Sequence, residues 1–226
     1  MPETFVASLS NYRSAGVFNP WGEVDSEHDA DEQGPLVRCR QLQQYLKERL
    51  GRAQTLLLAE AIGYQGGHFS GIPMTSERLL LGGLAHKGLS AEMVFRTLEP
   101  QRTSRPEVRK LGFTEPTATI VWGFFAERGI DPRSVVLWNA FPWHPYQSAK
   151  GLLSNRTPKD DELVAGHRVL RQLLELGKFA QVIAVGEKSA VQLQQLGIAA
   201  AKVRHPANGG AGKFRSQMLE LLGRGR

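Results

Sequence analysis

The chain has 226 residues, a single cysteine, a formal charge of +6 and ordinary hydrophobic and charged fractions, which suits one α/β domain with a full core. Cys39 alone excludes an internal disulfide, a cysteine-based zinc site and a four-cysteine iron–sulfur cluster, so no metal or cofactor is expected. No apolar run reaches the ~20 residues of a membrane helix, and MPETFVASLSNYR lacks a secretory pattern, so a cytoplasmic monomer is expected.

Residues 1–35 read as an irregular acidic arm ahead of one domain over 36–226. Glu23, Asp25, Glu27, Asp29, Asp31 and Glu32 fall within 16–35, where no Lys or Arg stands. Its VFNPW segment is apolar enough to dock on the body. The arm would be either a flap that mimics DNA over a basic face or a docked extension. LVRCRQLQQYLKERL (36–50) has helical spacing. TLLLAEA (55–61) is a continuous apolar run, the pattern of a strand buried on both faces. TSERLLLGGLAHKG (75–88) opens with a Ser/Thr cap and an acid, which predicts a helix.

SVVLWNAFPW (134–143) repeats the strand-then-loop pattern. The spacing then predicts a helix over 157–177, with Thr157 at N-cap, Pro158 at N1 and Gly177 at its close. QVIAVG (181–186) is a strand, EKSAVQLQQLG a helix, KVRHP (202–206) a last strand and FRSQMLELLG (214–223) a last helix. Strand alternating with helix predicts an α/β fold: a three-layer α/β/α sandwich around a central four-stranded, mainly parallel sheet. Ligands bind such sheets at the carboxyl ends of the strands. Glu60, Asn139 and His205 stand at three of those ends, so they should converge on one cleft.

Basic residues cluster as Arg102, Arg105, Arg109 and Lys110, and again as Lys202, Arg204, Lys213 and Arg215. Such clusters suit a polyanion, since cations that neutralise phosphates release counterions. His28, His68, His86 and His167 show no metal-ligand spacing.

AEAIG (59–63) followed by Phe69, WNAFP (138–142) and RHPANGG (204–210) together resemble three motifs of the uracil-DNA glycosylase superfamily, nearest to its iron–sulfur branch. The resemblance spans about residues 55–222, in the family's order. It implies a DNA-repair N-glycosylase that flips a nucleotide out and hydrolyses the bond between sugar and uracil, or a related deaminated base. His205 would donate to the base O2 as negative charge develops. Asn139 would donate to O4 and accept from N3–H, the reverse of what cytosine presents. Glu60 would position water or stabilise the positive sugar, and Phe69 would stack on the base. Gly63 would let the backbone approach the base, with Tyr64 beside C5. Asn208, Gly209, Lys213 and Arg215 would hold DNA phosphate.

The sequence departs from that branch in four places. Three cluster cysteines are missing, and Ile62 replaces a proline. Gly66 or a small neighbour stands where a second acid is usual, and the Gln-Asp pair of the best-known branch is missing. No lysine lies in the three motifs, so a Schiff base and lyase activity are not expected. Two alternatives are a catalytically silent DNA-binding member and a domain acting on free nucleosides or nucleotides. The second lacks support, since neither GxxxxGK[ST] nor GxGxxG follows a strand.

Overall fold

The computed structural model describes residues 2–223. Four parallel strands form the central sheet: β2 (Thr55–Ala61), β3 (Val135–Phe141), β5 (Gln181–Val185) and β6 (Ala201–Val203), in the order β3-β2-β5-β6. Helices flank it in a three-layer α/β/α arrangement. In β3 every residue is buried, and in β2 the first five are, as expected for strands covered on both faces. In register, Ala59 of β2 lies beside Asn139 of β3, and Val185 of β5 beside Val203 of β6. The strands therefore end nearly level, and their final residues share one edge.

The helices are α1 (Pro2–Leu9), α2 (Gly34–Lys47), α3 (Gly67–Ser70), α4 (Glu77–Leu80), α5 (Pro116–Arg128), α6 (Asp160–Gly177), α7 (Glu187–Gln195) and α8 (Ala211–Leu222). Helix α6 packs on β3, α7 on β5 and β2, and α8 on β6. Tyr45 of α2 accepts a hydrogen bond from the Leu137 amide at 2.8 Å, tying that helix to the outer strand β3.

Three boundaries differ from expectation. Helix α6 begins at Asp160, not Pro158, because Glu162 turns back to accept from the Lys159 amide at 2.8 Å and fixes Lys159 as N-cap. The segment 75–88 holds only the single turn α4, capped by Ser76, before a short 3-10 turn. The segment expected as an irregular arm begins with α1, whose Phe5, Val6 and Leu9 enter the main core.

The same N-terminal segment carries β1 (Val17–Phe18), which pairs antiparallel with β4 (His144–Pro145). Two of its acids are internal. Asp29 receives both Arg38 guanidinium nitrogens at 2.7 and 2.9 Å, with neither side chain exposed. Asp25 Oδ2 lies 2.9 Å from His68 Nε2, His68 Nδ1 lies 2.9 Å from His144 Nδ1, and His144 Nε2 lies 2.7 Å from the Ser154 carbonyl. A chain with acceptors at both ends needs three protons, one more than two neutral imidazoles hold. Burial lowers the pKa of both rings, holding His144 down to about 3, so both are neutral at pH 7 and share two protons among the three contacts. Asp25 and Asp29 are spent inside the fold, which removes them from any flap, while Glu27, Asp31 and Glu32 stay exposed.

Candidate active site

The strand ends open on a cavity of about 320 Å³ whose walls include Glu60, Gly63, Asn139 and His205. Its size suits a small ligand such as one base. Glu60 and Asn139 come from the ends of β2 and β3, and His205 from the turn after β6. The motifs therefore meet in space as the topology predicts.

Asn139 is fully buried, and its Oδ1 has no hydrogen-bond partner within the protein. A buried amide oxygen without a partner is costly unless a ligand supplies one. His205 Nδ1 accepts from the Ala207 amide at 3.1 Å. That bond assigns the proton of the neutral ring to Nε2, making it a donor. Burial, with the charge of Arg204, lowers the His205 pKa, so the ring is neutral at pH 7. Gly186 sits at φ 89°, where its missing side chain leaves room for His205: a Cβ there would stand 3.1 Å from His205 Cβ.

Glu60 pairs with Lys188 Nζ at 3.0 Å, and Lys188 also donates to Thr157 Oγ1. Lys188 belongs to α7, outside the three motifs, yet it reaches the cleft that Glu60, His205, Ala207 and Asn208 line beside the main cavity.

The remaining expected residues divide. Gly63 lines the cavity. Tyr64 is not among its lining residues; its amide donates to Asn155 Oδ1 at 3.1 Å. Phe69 is likewise absent from the lining. It is fully buried and stacks on Phe113, ring centroids 4.0 Å apart and planes 13° apart, so its face is covered by that ring and not turned to the cavity. Ile62, Met74 and Pro116 supply apolar wall instead. Asn208 and Gly209 form a left-handed turn at φ 52° and 73°. Lys213 lines a basic cleft with Lys202 and Arg204. Arg215 pairs with Glu127 of α5 at 3.2 Å, so its charge is partly engaged.

Asn155 and Glu115 are polar lining residues that lie outside the motifs. Asn155 lies on the loop leading to α6, and Glu115 is the N-cap of α5. Glu115 Oε2 is buried without a partner, and burial pushes its carboxyl up to about 7. Neither stands at a strand end, so the rule that located the others could not find them. Among the described residues, no three His, Cys, Asp or Glu side chains gather as a metal site, and no helix is long and apolar enough to cross a membrane.

The fold is similar to that of SMUG2 from Pedobacter heparinus, known from a crystal structure: the TM-score is 0.64 at 14% identity, over 99% of this chain and 97% of that one. No protein-family model and no curated protein sequence matches the chain.

Proposed function

We propose that the protein is a monofunctional DNA N-glycosylase that removes uracil, or a related deaminated base, from DNA. The observation that carries the reading is the unpartnered Oδ1 of buried Asn139 at the wall of a base-sized cavity, shared with a neutral His205 whose free Nε2 is a donor. The likeness in fold to SMUG2, a protein of the uracil-DNA glycosylase family, supports it.

Catalysis in such a site must favour the transition state, in which the base gains negative charge and the sugar positive charge. Asn139 pairs an acceptor with a donor, matching the N3–H and O4 of uracil, while cytosine would leave both groups unpaired. His205 Nε2–H meets the charge growing on the departing base. The Glu60 carboxylate offsets charge on the sugar and holds the attacking water. The turn at Asn208 and Gly209, with Lys213, takes the phosphates that flank the flipped nucleotide.

The test is a labelled oligonucleotide with one uracil, incubated with protein and then cleaved with alkali. Strand breaks that vanish in His205→Ala and Asn139→Ala support the reading. Salt-dependent binding with no abasic site would replace it with a silent DNA binder, and release of base from free deoxyuridine alone with a nucleoside hydrolase.

A further inference from the structure

We propose that Glu115 is a substrate-contacting residue of this cavity, its carboxyl presented to the flipped base. The proposal rests on the glycosylase reading of the same site and names a contact that reading does not contain.

The geometry comes first. An N-cap carboxylate ordinarily accepts from the first amides of its own helix. Glu115 makes no such bond, although it caps α5. Its carboxyl turns to the β2–α3 loop, with Oε1 lying 3.6 Å from where a Cβ of Gly63 would be. Oε2 is buried there without any partner, in a wall that Asn139 and His205 share. A carboxyl oxygen that stays buried and unpartnered on a residue lining a ligand-sized cavity is placed for a ligand.

Its protonation follows from its surroundings. The titratable or charged groups sharing the cavity wall are Glu60, Arg156 and His205, and Tyr64 lies on the facing loop. Glu60 is engaged by Lys188 and Arg156 by Glu162, while His205 is neutral. Gly63 and Gly66, which its carboxyl faces, carry no charge. Nothing therefore offsets burial, which raises the carboxyl to about 7.

The proton matters to the chemistry. A neutral acid holds a donor beside an acceptor, matching the adjacent C=O and N–H of an oxo base. A carboxylate offers acceptors only, facing the base carbonyl and then the negative charge growing on the leaving base. Ionisation therefore weakens both binding and departure.

The experiment is single-turnover excision of uracil from DNA between about pH 5.5 and about pH 9, for wild type, E115Q and E115A. Wild type should slow above about pH 7, approaching tenfold per pH unit. E115Q keeps a donor and an acceptor without titrating, so it should lack that alkaline fall and outpace wild type at the upper end. E115A should be slower than wild type below pH 7. A rate that instead rises with pH in wild type and is abolished in E115Q would make Glu115 a general base and overturn the proposal, as would equal profiles for wild type and E115A. Infrared difference spectra between wild type and E115Q need no turnover. They should show a protonated carboxyl band at about pH 6 that fades by about pH 8, and its absence overturns the proposal. If wild type releases no base while that band is present, it is the glycosylase reading that has failed.

Discussion

The carboxyl carbon of Glu115 lies 2.7 Å from the point that a Cβ on Gly66 would occupy. The two residues share one volume, and only a residue without a side chain at position 66 leaves the acid its place. Gly66→Ala should therefore displace Glu115 or the loop, costing about 1–3 kcal/mol as overpacking does and slowing excision. Adding Glu115→Ala to it should recover most of the lost stability, by chemical denaturation, without recovering excision. Additive losses would show that the two do not compete for space.

Asn139→Asp tests the base reader with almost no change of shape. It replaces the Nδ2 donor by an acceptor and should lower uracil excision by roughly 10²-fold or more. The acid side of the pH profile belongs to His205. Its pKa lies below the ordinary 6.5, and protonation of Nδ1 would break the bond from the Ala207 amide. Excision should hold as pH falls to the ordinary imidazole value and drop only below it; a fall centred above 6.5 would contradict this setting of the ring.

The parallel sheet was legible because β2, β3 and β5 are continuous apolar runs, and Glu60, Asn139 and His205 followed from the rule about strand ends. Helix α5 was not legible. PTATIVWGFFAER is apolar nearly all round, burying Ala118, Val121, Trp122, Phe124 and Phe125, so it shows no amphipathic period. With the helix hidden, its N-cap Glu115 had no reason to be singled out. Ribbon β1–β4 has two residues in each strand, too few for alternation to register. The stacking role for Phe69 rested on its position after a Gly-rich turn, and sequence distance could not reveal that Phe113 claims its face.

Cations that contact DNA should separate from those that brace the fold. Lys213 lines a basic cleft, whereas Arg215 is held by Glu127. In binding titrations over a range of salt, Lys213→Ala should reduce the slope of log K against log salt by about one. Arg215→Ala should reduce it by well under that. Equal reductions would mean that the Glu127 pair opens when DNA binds.

Lys188 reopens the question of lyase chemistry, because it brings an amine to the cleft that the motifs lack. A Schiff base needs an unprotonated amine. The Nζ lies 3.0 Å from Glu60 Oε1 and donates to Thr157, so the amine is engaged by both and not directed at a sugar. Borohydride added during excision should therefore trap no protein–DNA adduct. Should an adduct form and disappear in Lys188→Ala, the enzyme is bifunctional. Lys188→Ala should also leave the Glu60 carboxylate unbraced and slow excision about tenfold.

Asp25 links the N-terminal segment to the wall of the site, since His68 and His144 carry its contact to the loop before Asn155. Burial alone would raise its carboxyl, but the hydrogen bonds and charges of His68 and His28 outweigh burial and hold it at about 2, below the unfolded 3.8. A depressed carboxyl stabilises the fold above the unfolded value, and that contribution is lost as pH falls through the folded value. The side chain has no exposure, so the shift converts to about 2 kcal/mol with little screening. Asp25→Asn removes the carboxylate that His68 and His28 face and should cost about 3 kcal/mol at pH 7. Urea unfolding of wild type and variant, repeated from about pH 7 towards pH 2, should show that gap shrink by about 2 kcal/mol between about pH 4 and pH 2. A gap that stays constant to pH 2 would mean that Asp25 holds its proton at neutral pH.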